Sequence, residues 1–248
     1  MGKVLLVTGG SRGIGAATVR GAVANGDSVV FTYREARTQA EALCAEIAAA
    51  GGQAHALQAD VAEEADVLRV FATIDRSHGR LDGLVNNAGI AERQQKLEDM
   101  DLARWQRVFA TNVLGAMLCA REAVRRMSTR HGGHGGGIVN VSSAAARLGS
   151  PGEYVDYAAS KGALDTFTIG LAKEVALEGI RVNAVRPGLI HTDIHASYGD
   201  PGRVARLESN VPMQRGGTAE EVAEAILWLL SDRASYCIGN FIDVSGGR

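Results

Sequence analysis

The sequence predicts one α/β domain in which about seven parallel strands make a doubly wound sheet with helices on both faces. Three observations carry this. Short apolar runs rich in β-branched residues recur along the chain, and most are continuous rather than alternating, as strands buried on both faces require. Stretches with helical spacing and strong helix formers separate them. Glycines stand at Gly26, Gly51-Gly52, Gly79 and Gly179, just past those stretches, where a helix needs a left-handed residue to stop.

Taken in order, strands are expected at 3–8, 28–32, 54–58, 84–86, 137–141, 181–185 and 241–244, and helices at 14–24, 37–50, 65–78, 103–127, 157–177 and 219–230. The glycine-rich tract 131–137 reads as a flexible loop between helix and strand. All the prolines lie at or beyond Pro151. Pro187, Pro201 and Pro212 bracket the stretch 188–217, which has no clear period and is expected to be a mobile substrate lid. No composition shift marks a linker, so a single domain over 1–248 is expected.

Composition narrows the function classes. Apolar residues make up 46% of the chain and charged ones 22%, the balance of a globular protein rather than a disordered or membrane-spanning one. With 26 basic and 28 acidic residues and no long basic run, nothing suits a nucleic-acid backbone or an anionic membrane. Cys44, Cys119 and Cys237 are far apart and lack C-x-x-C spacing, which argues against a disulfide framework or a thiolate metal site. The apolar run Val4 to Val7 is too short for a signal peptide or a spanning helix, and Leu6 does not fit a myristoylation signal. A cytoplasmic protein is expected.

The first chemical motif is Thr8-Gly9-Gly10-Ser11-Arg12-Gly13-Ile14-Gly15, which follows the first strand and opens the first helix. Glycines there let the backbone turn tightly and approach a pyrophosphate, whose charge suits the free N–H groups and positive dipole end of a helix. The spacing is G-x-x-x-G-x-G, not the commoner G-x-G-x-x-G. The same residues contain Gly9-x-Ser11-x-Gly13, which satisfies the nucleophile-elbow pattern of serine hydrolases. A nucleophile at Ser11 would sit after the first strand, where that fold needs several strands earlier, and no oxyanion-hole loop stands upstream.

The second motif is Tyr157-Ala-Ala-Ser160-Lys161 at the start of a helix, preceded by the strand end Val139-Asn140-Val141-Ser142-Ser143. Positions i and i+4 share a helical face, so Tyr157 and Lys161 can enter one pocket. A free phenol titrates near about 10, and an adjacent ammonium is expected to favour the phenolate. A serine hydroxyl from the strand end is placed to bind a substrate oxygen.

With these motifs in order, the chain resembles the short-chain dehydrogenase/reductase family, built on one Rossmann-type domain with a Tyr-x-x-x-Lys site. The likeness runs from Thr8 to Gly247 through Asp60-Val61, Asn86-Asn87-Ala88-Gly89, Asn112, Ser143, Tyr157 with Lys161, Pro187-Gly188 and Asp243-Val-Ser-Gly-Gly. It implies that Tyr157 donates a proton to a carbonyl in reduction and takes one back in oxidation. It implies that Lys161 binds the nicotinamide ribose and lowers the tyrosine pKa, that Ser143 binds the reacting oxygen, and that Asn112 holds a proton-relaying water. Asn112 also reads as a helix-kink residue bonding backbone. The resemblance puts Gly9, Ser11, Arg12, Gly13, Ile14 and Gly15 on the pyrophosphate. It puts Asn87, Ala88 and Gly89 on the adenosine-ribose side, Asp60 and Val61 at the adenine, and Pro187, Gly188, Ile190 and Thr192 over the carboxamide. Ser143 precedes Tyr157 by 14 positions where the family usually has 13, so one extra residue is assumed in the loop 144–156, and Ser143 is preferred to Ser142. Tyr154 lacks a lysine at i+4 and is set aside as the acid.

The second strand ends Thr32-Tyr33-Arg34, without the acidic residue that would favour NAD, and the glycine turn carries Arg12. Two guanidinium groups suit a 2′-phosphate, with Glu35 as a possible counterweight, so NADP(H) is the expected cofactor. The expected activity is an oxidoreductase interconverting a small-molecule carbonyl and a secondary alcohol. The rivals are a Ser11 hydrolase and a non-catalytic NADP(H) sensor. The pairs His131 with His134 and His191 with His195 lack a third ligand, so no metal is expected. Helices 103–127 and 157–177 are apolar over more surface than one sheet face needs, and relatives pair such helices, so a homodimer or homotetramer is expected.

Overall fold

The structure is a computed structural model that describes residues 2–193 and 199–248. Strands β1 (Val4–Val7), β2 (Ser28–Tyr33), β3 (Ala54–Gln58), β4 (Gly83–Asn86), β5 (Gly136–Val141), β6 (Ile180–Pro187) and β7 (Phe241–Val244) form one sheet in the order β3-β2-β1-β4-β5-β6-β7. All six pairings are parallel. The helices among the described residues are α1 (Gly13–Ala24), α2 (Arg37–Ala49), α3 (Glu64–His78), α4 (Leu102–Phe109), α5 (Ala116–Met127), α6 (Ala145–Leu148), α7 (Val155–Val175), α8 (Arg203–Leu207) and α9 (Ala219–Leu230).

The continuous apolar strands are buried on both faces because successive side chains point opposite ways. Leu5, Val7, Val29 and Phe31 pack with Val19 of α1, Leu43 of α2 and Ile226 of α9. Val4, Leu6 and Val30 pack on the other face with Phe71 of α3, Ala123 of α5 and Val175 of α7. Each fully buried Leu or Phe is worth about 1.5–3 kcal/mol. The strand order reverses between β1 and β4, and at such a switch point the carboxyl ends of the strands open a crevice.

Two expectations need correction. The helix expected over 103–127 is interrupted by a π-helical turn, Ala110–Gly115, centred on Asn112. The glycine tract 131–137 is a packed corner rather than a flexible loop. A Cβ at Gly133 would lie 2.4 Å from the Arg126 carbonyl, and one at Gly135 would lie 2.5 Å from that of Gly179. Within the described part of 188–217, Ile190 bridges to Gly217, and Leu189, Val204 and Val211 form a small apolar cluster.

Candidate active site

After β1 the chain turns back, with Gly9 N–H donating to Thr32 Oγ1 at 3.1 Å and Gly10 N–H to Thr32 O at 2.8 Å. Gly9 has φ +64°, which a side chain would strain. Helix α1 starts at Gly13 without a side-chain cap and without an acidic residue in its first turn. Its first N–H groups and positive end are therefore available to an anion. Gly15 lets the helix sit against the turn: a Cβ there would lie 2.4 Å from Gly9 O and 2.6 Å from Asn87 Nδ2. The Asn87 amide fastens the turn to the end of β4, donating to Thr8 O and Gly9 O at 2.9 Å each. Thr8 Oγ1 accepts the N–H groups of Asn87 and Ala88 at 3.0 Å.

A cleft of about 420 Å³ opens above this turn, lined by Gly9, Ser11, Arg12, Gly13 and Ile14, with Arg34, Asp60 and Val61 at one end and Asn87, Ala88 and Gly89 along its wall. Gly15 does not line it and acts through packing. Thr111, which the sequence gave no reason to single out, does. Arg12 is exposed and makes no ion pair with any described residue. Arg34 pairs with Glu35 at 2.9 Å and lies 3.9 Å from Asp60. Asp60 Oδ1 accepts the Ala62 N–H at 2.9 Å, so one of its oxygens is used within its own turn. The glycine cradle, the uncapped helix start and the two guanidinium groups fit a phosphorylated dinucleotide.

A second pocket of about 170 Å³ continues from the first across Ile14, Asn87, Gly89 and Thr192. It is lined by Ser142, Ser143, Tyr157 and Lys161, with Pro187, Gly188 and Ile190 opposite. The Ser143 hydroxyl stands beside the Tyr157 phenol in this pocket. Ser142 faces elsewhere: its hydroxyl donates to Asp165 Oδ1 at 2.5 Å. Lys161 Nζ donates to Val141 O at 2.7 Å and lies 5.6 Å from the centroid of the Tyr157 ring.

Burial sets the protonation states. It pushes the Tyr157 phenol above its ordinary value, and the Ser143 contact opposes this. Burial also lowers the Lys161 ammonium to about 8, while the Asp165 carboxylate pulls it back up. For Tyr157 the loss of water is the larger influence, and the Ser143 contact is the one that opposes it.

Asn112 lines neither pocket. Its Oδ1 accepts the Ile90 N–H at 2.8 Å, and its Nδ2 donates to Ile90 O at 2.9 Å and Ser160 Oγ at 3.0 Å. It pairs with the chain after β4 as a strand neighbour would, which is the backbone-bonding role expected of it, and its place in the π turn explains the reach. A Cβ at Gly89 would meet Asn112 Oδ1 at 3.3 Å and Lys161 Nζ at 3.4 Å, so the three positions converge. Behind them Asn86 donates to Asn140 Oδ1 at 2.9 Å, and Asn140 donates to Thr168 Oγ1 at 2.8 Å.

Sequence reasoning set Tyr154 aside as the acid and gave no role to Arg203, Arg104 or Asp156. Tyr154 and Arg203 line the second pocket, the guanidinium 5.1 Å from the phenol ring centroid. Arg104 and Asp156 form a buried ion pair beside it. No local pattern signals contacts between residues about fifty positions apart. Ser11 has no histidine or carboxylate partner among the described residues, and the hydrolase reading finds no base. His195 lies outside the described residues. Among the described residues no cluster of three metal-ligating side chains occurs, and no helix is long and apolar enough to cross a membrane.

Residues 9–248 match the family described as Enoyl-(Acyl carrier protein) reductase. The chain is 57% identical over 245 residues to an uncharacterized oxidoreductase, YgfF, of Escherichia coli (strain K12), with 99% of each covered. It is 40% identical over 246 residues to a 3-oxoacyl-[acyl-carrier-protein] reductase of Synechocystis sp. (strain ATCC 27184 / PCC 6803 / Kazusa), covering 99% of this chain and 96% of that one. Its fold matches a blue fluorescent protein from a metagenomic library, solved in complex with NADPH, with TM-score 0.90, 35% identity, and 99% and 97% of the two chains covered. Fold, site and relatives together define an oxidoreductase. More narrowly, the chain belongs to the short-chain dehydrogenase/reductase family.

Proposed function

We propose that the protein interconverts a carbonyl and a secondary alcohol with NADP(H) as cofactor, using Tyr157 as acid and base. The observation that carries this is the convergence of Ser143, Tyr157 and Lys161 in a pocket continuous with the glycine-cradled cleft. When bound, NADPH supplies the hydride. Tyr157, kept protonated at neutral pH by its burial, gives its proton to the carbonyl oxygen, and Ser143 donates a hydrogen bond to that oxygen as its charge develops. Lys161 holds the ribose and offers a positive charge beneath the phenol. Asn112 fixes Ile90 with both ends of its amide, next to Gly89 and Lys161, where the proton-relaying water is expected. Arg12 and Arg34 favour the 2′-phosphate by charge-assisted bonds, in keeping with the NADPH held by the similar metagenomic protein.

The reading includes one catalytic domain over 1–248, whose stretch 188–217 closes over substrate. It also includes self-association, because Leu102, Phe109, Leu114, Met117 and Ile169 are exposed apolar residues on or beside α4, α5 and α7. Light scattering that gave a monomer at micromolar concentration would remove that part. The test of the activity is NADPH absorbance with acetoacetyl-coenzyme A, a 3-oxosteroid and phenanthrenequinone as probes, and Tyr157→Phe as the control. Oxidation of NADPH by at least one probe, lost in Tyr157→Phe, is expected. A full rate in Tyr157→Phe, or no NADPH binding by the wild type, refutes the proposal.

A further inference from the structure

Arg104 sits in the first turn of α4, its backbone N–H donating to the capping Asp101 carboxylate at 2.7 Å. Its guanidinium is buried and every nitrogen is used. Nε and Nη2 donate to Asp156 Oδ2 and Oδ1 at 2.6 and 3.1 Å, and Nη1 donates to Arg93 O at 2.6 Å and Gln95 Oε1 at 2.8 Å. Asp156 immediately precedes Tyr157 in the first turn of α7. The segment 90–95 leads away from the pocket wall that Ala91 forms. Gln95 N–H donates to Glu153 O at 3.1 Å, and Glu153 in turn pairs with Arg203 of the same pocket.

We propose that Arg104 is a positioning residue that sets the segment 90–95, whose Ala91 lines the substrate pocket, in register with the Tyr157 helix turn, and so fixes how a carbonyl meets the phenol. A buried ion pair is a poor source of stability, because apolar residues of similar volume replace it at little cost or with gain. What apolar residues cannot reproduce is a planar fork that grips a carboxylate with one edge and two loop oxygens with the other. The inference rests on the proposed oxidoreductase reading and names a determinant of the same site.

The test compares Arg104→Lys, Arg104→Met and the double variant Arg104→Met/Asp156→Leu, using the three carbonyl probes above. Arg104→Met leaves the Asp156 carboxylate buried and unpaired, so its melting temperature falls, and the double variant recovers it. The double variant is nevertheless expected to lose about 100-fold in kcat/KM, since a misplacement near 1 Å costs about that much. Arg104→Lys keeps the charge pair but releases the loop, so KM rises about tenfold while kcat stays within about twofold. NADPH affinity falls by less than about threefold in all three, because Ile90 is the one residue of 90–95 that lines the dinucleotide cleft and Asn112 holds it independently of Arg104. A double variant with wild-type melting and wild-type kcat/KM overturns the proposal. If the double variant does not fold, an unchanged KM in Arg104→Lys overturns it. If the wild type reduces none of the probes, the oxidoreductase reading has failed separately. The clamp is then decided by hydrogen exchange, where unchanged protection of the amides of 90–95 in Arg104→Lys refutes it.

Discussion

Gly15→Ala sets two physical effects against each other. Helix propensity alone favours the change by about 1 kcal/mol, since glycine inside a helix costs that much relative to alanine. The surroundings oppose it: the new Cβ would lie 2.4 Å from Gly9 O, about 0.6 Å inside the 3.0 Å that Cβ contacts respect, and 2.6 Å from Asn87 Nδ2. The obstacles are a backbone carbonyl and an amide that already bond each other at 2.9 Å, so neither can yield without breaking the link between the turn and β4. Overpacking costs about 1–3 kcal/mol, and a disrupted hydrogen bond adds about 1. The net expectation is a loss of roughly 1–3 kcal/mol, or about 2–10 °C in melting temperature. NADPH affinity should fall at least about tenfold, because the start of α1 moves from the cradle. Gly162→Ala is the control: its Cβ meets nothing within 4 Å, so it should gain stability and leave NADPH affinity unchanged. Melting curves and fluorescence titrations with NADPH read both effects. A Gly15→Ala protein that melts higher than wild type and binds NADPH as well would refute the close-packing account.

Ser143→Ala should lower kcat/KM about 100-fold with little change in melting, whereas Ser142→Ala should lose about 1–2 kcal/mol of stability and keep most activity. Steady-state kinetics with thermal melts separate the two, and equal kinetic losses would show that the serines are misassigned. Arg34→Ala should weaken NADPH about 10-fold or more and NADH hardly at all, as paired titrations would reveal. Lys161 titrates at about 8 when folded, below its ordinary 10.5, so the unfolded chain binds more protons between those values. Its contribution to stability therefore rises from about pH 8 to 10.5, and below that range the burial cost stands in full at about 3 kcal/mol. Lys161→Met should accordingly melt roughly 6–12 °C higher at pH 7 while losing activity, and a lower melting temperature would contradict this. In the wild type, reduction should decline as pH rises through about 8, when the ammonium discharges; a flat pH–rate profile from 7 to 9 would exclude Lys161 as the titrating group.

The sheet was legible because its strands are continuous apolar runs, and because Gly26, Gly51, Gly79 and Gly179 mark the helix ends, each with positive φ. The glycine turn and the Tyr157–Lys161 pair were legible because each is local: a few neighbouring residues on one turn or one helix face. The interruption at Ala110–Gly115 was legible only as a kink at Asn112, because its partner, the Ile90 N–H that donates to Asn112 Oδ1, lies 22 positions away. The tract 131–137 misled for a similar reason. Glycine signals either freedom or close approach, and only the position of Gly179 against Gly135 decides which. The Arg104–Asp156 pair left no trace, since a lone arginine and aspartate 52 positions apart look like solvated surface.

The least local property of the site is its charge balance. Burial drives both Tyr157 and Lys161 toward neutrality, which suits the phenol as a proton donor and works against the ammonium. One turn beyond Lys161, Asp165 counters that drift. Its carboxylate is held by the Ser142 hydroxyl and by Arg186 at 2.8 Å, and Arg186 stacks 3.9 Å over the Phe241 ring. The neighbouring serines thus divide their work: Ser143 meets the phenol, while Ser142 anchors the carboxylate that keeps the lysine charged. Under the proposed reading, the serine pair just after β5 thus reaches both groups, Ser143 the phenol directly and Ser142 the lysine through Asp165.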